Sequence, residues 1–455
     1  MKFKGTALMA AVFLSLVLYY FFVDLPAEQK EKIEKEHAEK LLPIEMEKVV
    51  EFSLTGNGEP IALKRVAPYK WDLIRPLSAT GDSTEAEAFI SEIENLKKTR
   101  VVEENPKDLS IYGLSSPTLK IYFKFENKNE ETLLIGNESP LGGHLYFKRE
   151  NHPAVMMAAT SRSRFEKSVY SFRDKTLLNF NTGSIQRIQI LREKNPLEFK
   201  KMGETWEISG DIRFQGDKDA IMDFLQAIQF SRVREFVDEN PDSLEYYGLN
   251  PPALKLTLEN EKGESQTLSM GNPKEGKGYF GKINGSQNIV LADTRLFETL
   301  SQKTVEFLDK TLLEFDEKEI LELSLHSENE TIRVVRGEND GWNIQSPIKT
   351  AADLSTVNSL LFDLKEARIS TFIKISLETP ESFGLDTSQK SFSLKMKDSK
   401  IWTLQLGNQS TNGRQVFAQR TGEPTVFSIS KEVVEKLFRS LHDLRNKKTT
   451  EIRKY

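Results

Sequence analysis

The segment of this 455-residue chain that comes closest to a catalytic motif is Gly271-Asn-Pro-Lys-Glu-Gly276-Lys277-Gly278. Gly271, Gly276 and Lys277 have the spacing of the phosphate-binding loop pattern G-x-x-x-x-G-K. However, Gly278 stands where Ser or Thr would hold Mg²⁺, and a strand pattern follows where such a loop needs a helix. Gly136 and Gly407 begin matching segments with different residues. We therefore interpret all three as one hairpin loop and expect no nucleotide cofactor.

Histidine and cysteine offer little further chemistry. The chain has no cysteine, which excludes thiol catalysis, disulfides and thiolate metal sites. None of the five histidines recurs at an equivalent place, and His144 and His152 lie eight apart without other ligand-rich sequence nearby. No HExxH, GxSxG or SxxK pattern has supporting context. We predict no catalytic residue, no metal ligand and no cofactor, and therefore a protein that is not an enzyme.

Composition limits the function classes further. The 63 basic and 68 acidic residues give a formal net charge of −5, whereas an electrostatic binder of nucleic acid needs a basic surplus. The apolar fraction of 38% is sufficient for packed cores. We therefore expect folded domains and no nucleic-acid partner.

Tryptophan is the remaining residue type that could bind a ligand. Trp71, Trp206 and Trp342 are 135 and 136 residues apart, and each is placed at the end of an alternating strand pattern. Tryptophan serves both core packing and the stacking of glycans or peptides. The repeated strand position favours core packing, and ligand contact by these three residues is the alternative.

The tryptophan spacing reveals an internal repeat. Two further sets of glycines show the same two spacings, in the same order along the chain: Gly113, Gly248 and Gly384, then Gly136, Gly271 and Gly407. We predict three tandem domains at residues 44–180, 181–316 and 317–455.

Each repeat contains the pattern of one long amphipathic helix. Apolar residues recur at helical spacing, which predicts one buried stripe in each copy: Ala86, Phe89, Ile90 and Ile93; Ile221, Phe224, Leu225 and Ile228; Val357, Leu360, Leu361 and Leu364. An aspartate precedes each helix and is interpreted as its N-cap, and a cation follows each helix and suits its C-terminus: Asp82, Asp217 and Asp353; Lys97, Arg232 and Arg368.

Strand patterns fill the rest of each repeat. An aromatic-Gly-Leu motif predicts a turn with its glycine at positive φ, and a later strand pattern ends in Gly-Asn. Two short strands and a second helix close each copy, and matching segments that begin at Phe172 and Phe307 are candidate linkers. The predicted fold class is α+β, with a mostly antiparallel sheet and about two helices in each repeat.

The N-terminus has the features of a membrane anchor. Gly5–Val23 is 19 residues without a charge, about 28 Å of helix, and ends in the bulky Tyr19, Tyr20, Phe21 and Phe22. A cleaved signal peptide, the alternative, needs small residues there. Lys2 and Lys4 precede the span, so the positive-inside rule places the N-terminus in the cytoplasm. We predict an anchor at residues 1–27 that spans the cytoplasmic membrane through residues 5–23, followed by a charged helical stalk at residues 28–43.

The ordered combination of W-x-(L/I)-x-x-P, an amphipathic helix, (Y/F)-G-L-x-x-P and a strand ending in Gly-Asn resembles the bacterial domain-of-unknown-function family 4340. The resemblance covers residues 44–455. Copy two departs from it at Asp211, where the proline is missing, and copy three lacks the proline after Gly384-Leu385. The resemblance implies a single-span envelope protein, often encoded beside gliding-motility-type ABC transporters. It supplies no catalytic residues.

These features together predict a non-enzymatic protein of the inner membrane whose bulk lies outside the cytoplasm. Its expected partner is an ABC-transporter complex or an envelope polymer. Two other functions stay open: an envelope hydrolase or carbohydrate-active enzyme with an unrecognised site, and a mechanical spacer.

Overall fold

A computed structural model describes residues 9, 13–25, 35–56, 58–192, 196–209, 213–337, 340–373, 380–386, 388–423 and 425–445. In this structure the chain forms three tandem sheet-rich domains. Each is built on one nine-stranded sheet, and the strand pairings are antiparallel, as in β1–β6, β10–β15 and β19–β24. This agrees with the predicted repeat and its mostly antiparallel sheets.

Domain 1 has the sheet order β4-β3-β2-β1-β6-β7-β8-β9-β5. Its elements are β1 Val49–Thr55, β2 Ile61–Ala67, β3 Lys70–Arg75, β4 Ala79–Thr80, α1 Ser83–Glu94, β5 Arg100–Glu103, β6 Leu119–Phe125, β7 Glu130–Glu138, β8 Leu145–Arg149, β9 Val155–Ala158 and α2 Val169–Phe172.

Domain 2 repeats this order as β13-β12-β11-β10-β15-β16-β17-β18-β14. Its elements are β10 Ile185–Arg192, β11 Leu197–Met202, β12 Thr205–Ser209, β13 Arg213–Gly216, α3 Lys218–Gln229, β14 Val233–Asp238, β15 Leu254–Asn260, β16 Ser265–Lys274, β17 Gly278–Ile283, β18 Ile289–Ala292 and α4 Thr294–Leu300.

Domain 3 has the same sheet order, β22-β21-β20-β19-β24-β25-β26-β27-β23. Its elements are β19 Ile320–Ser327, β20 Glu330–Arg336, β21 Trp342–Ser346, β22 Thr350–Ala351, α5 Leu354–Glu366, β23 Ile369–Ile373, β24 Lys390–Met396, β25 Ile401–Gln409, β26 Gln415–Arg420, β27 Val426–Ser430, α6 Lys431–Leu437 and α7 Leu441–Leu444.

The long helix of each domain carries the chain from one edge of its sheet to the other. In domain 1, α1 connects β4 at one edge to β5 at the opposite edge. The predicted apolar stripes of α1, α3 and α5 are buried at all twelve positions, which confirms them. In domain 1 the stripe packs against Phe52, Trp71 and Phe123 of the sheet. Burial of such side chains, about 1.5–3 kcal/mol each, is what holds helix and sheet together.

The second helix varies between copies more than the sequence suggested. The sequence pattern predicts this helix near residues 162–169, 294–300 and 431–444, and α4 of domain 2 has the predicted bounds, Thr294–Leu300. In domain 1 the corresponding segment is a 3₁₀ turn, Arg162–Arg164, followed by the short α2. In domain 3 it divides into α6 and α7, because the Ser440 side chain accepts the backbone N–H of Asp443 and starts a new helix.

The predicted linkers are hydrogen-bonded to the domains on both sides. After domain 1, Asp174 N donates to Thr80 O at 3.0 Å, and Val233 N donates to Lys175 O at 2.8 Å. After domain 2, Asp309 N donates to Gln215 O at 2.9 Å. We call residues 173–176 and 308–311 the first and second connectors. Each lies between the edge strand of one domain and the strand after the long helix of the next.

The N-terminal predictions lie only partly within the described residues. Residues 13–25 are helical, whereas residues 5–8, 10–12 and 26–34 lie outside the described part. Within that part, no helix combines the length and apolar composition needed to cross a bilayer. The anchor at residues 1–27 therefore stays a prediction. Leu41 and Leu42, which lie in the predicted stalk, are 1% and 0% exposed among the core residues of domain 1, and the predicted boundary at residue 44 stays a prediction.

By compactness the chain divides into two units, and both include parts of domain 2. The first comprises Met1–Asn179, Phe230–Asn250 and Asn272–Thr294, and therefore contains domain 1 and the first connector. The second comprises Phe180–Gln229, Pro251–Gly271 and Arg295–Tyr455, and contains domain 3 and the second connector. The predicted domain boundaries at residues 181 and 317 stay predictions.

Candidate functional site

The three repeated tryptophans lie in the domain cores. Trp71, Trp206 and Trp342 are 1%, 2% and 3% exposed. In domain 1 the indole N–H of Trp71 donates to Glu87 Oε1 on α1 at 2.8 Å, so the helix covers the ring. This burial favours core packing. Ligand contact by the three rings stays a prediction, and it would require the helix to move aside.

Two of these rings each contact an arginine that the sequence patterns did not single out. The Arg65 guanidinium lies 4.5 Å from the Trp71 ring centroid and bonds Glu87 at 2.7 Å and Val49 O at 2.8 Å. In domain 3, Arg336 lies 4.6 Å from the Trp342 ring and donates to Ile320 O at 2.8 Å. The available signal was an arginine six residues before the tryptophan in both copies. Its role is to tie the ring to the first strand.

The aromatic-Gly-Leu and Gly-Asn motifs meet in space. The motif glycines Gly113, Gly248 and Gly384 have φ of 68°, 66° and 67°, which confirms the predicted positive φ. A Cβ on Gly248 would lie 2.3 Å from Asn272 Oδ1, and one on Gly113 would lie 2.3 Å from the corresponding oxygen of Asn137. Only glycine fits this contact. The two motifs therefore form one structural unit. We call this contact between the motif glycine and the asparagine of the Gly-Asn pair the lock.

The Gly-Asn pairs lie inside strands rather than at strand ends, which corrects the loop interpretation. Gly136-Asn137 is part of β7 and Gly407-Asn408 is part of β25. In both strands the pairing register shifts across this dipeptide, which is the property of a β-bulge. The glycine is needed because a Cβ on Gly136 would lie 2.1 Å from Tyr112 O.

The aromatic residue of the lock is held by its ring and, in two copies, by its hydroxyl. Tyr112 donates to Glu103 at 2.8 Å, and this hydrogen bond raises the pKa of Tyr112. Tyr247 donates to Asp238 at 2.7 Å, which raises the pKa of Tyr247 to about 12. Phe383 replaces them in domain 3 and packs on a ring 4.8 Å away. A phenylalanine suffices there, so the aromatic residue serves packing.

The repeated charges beside the long helices serve the fold. Asp82, Asp217 and Asp353 each accept backbone N–H groups of the first helical turn, which confirms the predicted N-caps. Arg368 donates to Lys365 O at 2.9 Å at the end of α5, as expected for a C-terminal cation. Lys97 and Arg232 have the equivalent positions in the other domains, and all three form isolated bridges with the segment that precedes their domain.

The phosphate-loop-like segment forms a hairpin between two strands. Gly271 and Lys274 lie in β16, and Gly278 begins β17. Lys274 bonds Glu235 at 2.9 Å rather than facing an open loop. Within the described residues, no group of three His, Cys, Asp or Glu side chains is arranged to hold a metal ion.

A cavity in domain 1 is the best candidate for a binding site. It measures about 470 Å³, within the 300–1,000 Å³ common for ligand pockets. It lies between the β1–β2 hairpin and the segment around α2. Its apolar lining includes Leu54, Ile61, Leu119, Phe165 and Val169, and its polar lining includes Glu59, Arg162, Glu166, Lys167 and Ser168.

The cations of this cavity are already engaged by the protein. Arg162 donates to Glu166 at 2.8 Å and also to the backbone O of Gly136 at 3.3 Å. Lys167 bonds Glu85 at 2.7 Å. Each positive charge therefore has a carboxylate beside it. The cavity can enclose an apolar group, but these two cations are not available to an anion without breaking an existing pair.

Comparison with known proteins identifies the repeat. A family model described as "Domain of unknown function (DUF4340)" matches three overlapping segments, residues 71–229, 206–379 and 342–454. No curated protein matches the chain. A DNA polymerase sliding clamp from Pseudomonas aeruginosa is 7% identical, with 87% of this chain and 95% of that chain covered and a TM-score of 0.15. A DNA polymerase III beta subunit from Thermotoga maritima is 6% identical, with 86% and 92% covered and a TM-score of 0.13. Such low TM-scores carry no argument for this protein.

Proposed function

Since the chain belongs to the DUF4340 family through three successive copies of its domain, we propose that it is a membrane-anchored, non-enzymatic binding component of the cell envelope. The bulk of the chain lies outside the cytoplasm in this proposal, and its N-terminus lies inside. Its partner is a membrane protein complex of the ABC-transporter type. An envelope polymer is the other partner that the sequence leaves open.

One observation carries the non-enzymatic part of the proposal: the repeated motif residues act inside the fold. The aspartates cap helices, the motif glycines contact asparagines, and the tryptophans are buried. Catalytic groups instead need to face a substrate in a cleft. The domain 1 cavity has an apolar lining and internally paired cations, which suits binding better than acid–base chemistry.

Exposed apolar side chains near the N-terminus support the anchor. Phe13, Leu14, Leu16, Leu18 and the four aromatic residues 19–22 are 48–76% exposed, and such a surface is unfavourable in water. Contact with lipid tails would bury it. The uncharged run of Gly5–Val23 and the preceding Lys2 and Lys4 give the length and the orientation.

The experiment is recovery of the full chain from native membranes, compared with a variant that lacks residues 1–27. The full chain should stay in the membrane after an alkaline carbonate wash, whereas the truncated chain should be released. After chemical crosslinking and extraction in mild detergent, subunits of an ABC transporter should co-purify with the full chain.

Two results would contradict this proposal. Release of the full chain by carbonate would exclude the anchor. Repeated recovery of an anchored chain with no transporter subunit would exclude the proposed partner. A polysaccharide or peptidoglycan fragment in the crosslinked product would assign the polymer instead.

A further inference from the structure

The cavity of domain 1 is open at a position that domain 2 fills with a long side chain. The register pairs Leu54 with Ile61 in domain 1 and Ile190 with Leu197 in domain 2. Two residues after these strand positions come Gly56 and Arg192. Arg192 donates to Gln302 O at 2.8 Å and thus crosses to the segment after α4. Gly56 has no side chain to make this crossing.

Domain 3 changes the same region differently. Ser327 has the position of Gly56, because the register pairs Leu325 with Ile332. Lys390 begins β24 as Leu119 begins β6. The Lys390 ammonium lies 4.4 Å from the Phe438 ring centroid. A cation thus stands in domain 3 where domain 1 has an apolar residue of the cavity wall.

The chemistry of the cavity favours an apolar group as its occupant. Leu54, Ile61, Leu119 and Phe165 are 0–6% exposed, so this part of the cavity wall is apolar and shielded from water. Arg162 and Lys167 are paired with carboxylates, so among the described lining residues no uncompensated cation is available for a phosphate or a nucleotide.

We propose that this cavity binds one alkyl chain, that of a membrane lipid or of a fatty acid. The proposal rests on the membrane attachment proposed above, because domain 1 directly follows the predicted anchor and stalk. The anchor would hold the chain at a membrane, whose lipids are an abundant source of alkyl chains. An alkyl chain is narrow, uncharged and flexible, and it buries apolar surface without requiring a hydrogen-bond partner.

The test is photolabelling of the full chain in phosphatidylcholine nanodiscs. One arm contains palmitic acid with a diazirine in its chain, and the other contains phosphatidylcholine that carries the same chain. In the wild type, mass spectrometry should find adducts at residues 54–61 and 165–169 in at least one arm. The arm that labels identifies the source of the chain.

The decisive variant is Gly56→Arg, which copies Arg192 of domain 2. A Cβ at Gly56 would lie 3.6 Å from Leu119 Cδ1, an ordinary contact, so the fold accepts a side chain that points toward the cavity wall. Adduct yield should fall at least tenfold. Leu119→Lys, which copies Lys390, should have the same effect. The matched control is Ser327→Arg, which places the same side chain in domain 3 and should leave the yield unchanged.

Three outcomes would overturn the proposal. They are equal labelling of the wild type and Gly56→Arg, a loss of labelling in Ser327→Arg as large as in Gly56→Arg, and no labelling of the wild type in either arm. If labelling is absent while Gly56→Arg weakens recovery of a partner protein, the occupant is a partner side chain instead. Migration of the chain with the nanodiscs reports membrane attachment separately, so failure of the anchor is distinguishable from failure of the cavity.

Discussion

At the scale of single residues, polar groups beside the repeated aromatic residues hold those residues in place. Glu87 accepts hydrogen bonds from both Trp71 and Arg65, with the Arg65 and Glu87 side chains 13% and 16% exposed. The tyrosine hydroxyls of the lock bond carboxylates in the same way. A buried polar atom needs such a partner, because its desolvation is otherwise uncompensated. These polar residues therefore serve packing.

The Tyr247–Asp238 bond predicts a pH dependence of stability. The pKa of Tyr247 in the folded protein, about 12, exceeds the ordinary tyrosine value of about 10. The bond's contribution to stability is therefore complete below about pH 10 and is lost as the pH rises through about 12. In Asp238→Asn the pKa of Tyr247 should fall toward 10, and this part of the alkaline loss should disappear. Ultraviolet difference titration and urea unfolding measure the two effects.

Asp242→Asn is the matched control for that substitution. Asp242 raises the pKa of Tyr247 only through its charge, as a minor contribution beside the hydrogen bond. Its replacement should lower the pKa less than Asp238→Asn does. Equal decreases in the two variants would show that the hydrogen bond is not the principal cause.

At the scale of elements, contacts between distant motifs shape each sheet. The turn that carries Gly113 packs against the bulge in β7, and a separate small apolar cluster forms there around Leu114, Leu134 and Val155. Domain 3 has the equivalent cluster of Phe383, Leu385 and Val426. The lock therefore fixes the far strands of the sheet, which the long helix does not explain by itself.

Gly248→Ala tests the lock in domain 2. The positive φ alone should reduce the free energy of unfolding by about 1–2 kcal/mol. The contact with Asn272 should add about 1–3 kcal/mol, as in other overpacked sites. Gly263→Ala is the control, because Gly263 also has positive φ, 78°, with open space around its Cβ position. In urea unfolding, Gly263→Ala should lose only the free energy that the positive φ causes, about 1–2 kcal/mol.

The double variant Gly248→Ala/Asn272→Ala separates the two contributions. If the asparagine side chain causes the clash, its removal should recover part of the loss, and the two changes should not be additive. Equal losses in Gly248→Ala and Gly263→Ala would contradict the lock.

At the scale of the whole molecule, the connectors are parts of the sheets they join. In the first connector, Arg173 is only 8% exposed, forms an ion pair with Glu239 and lies 3.6 Å from the Phe236 ring centroid. In the second, Gly216 pairs with Leu308 and Thr311 pairs with Arg368. Backbone hydrogen bonds on both sides of a connector oppose its local opening.

Arg173→Ala should make the first connector accessible to a lysine-specific protease. Loss of the ion pair and the cation–π contact should reduce the free energy of local opening by about 1–3 kcal/mol. Because about 1.4 kcal/mol corresponds to a tenfold change in population, cleavage after Lys175 should accelerate about tenfold or more. Timed digestion with mass spectrometry measures it.

Arg234→Ala is the control for the connector. Arg234 also forms an ion pair in domain 2, with Asp293 at 2.9 Å, but its side chain is 56% exposed. An exposed pair contributes about 1 kcal/mol or less, so cleavage at Lys175 should hardly change. If both variants were cleaved at the wild-type rate, Arg173 would not hold the connector closed.

The sequence by itself determined the local features of this protein. The three repeats, the buried stripes of α1, α3 and α5, the aspartate caps and the positive φ of Gly113 were all readable, because each depends on periodicity or on residues a few positions apart. The tertiary structure alone decided which distant residues meet. The cavity brings together Gly56, Leu119 and Phe165, which are 63 and 46 residues apart along the chain. Strand register sets such contacts through pairings between remote segments, and no local periodicity encodes them.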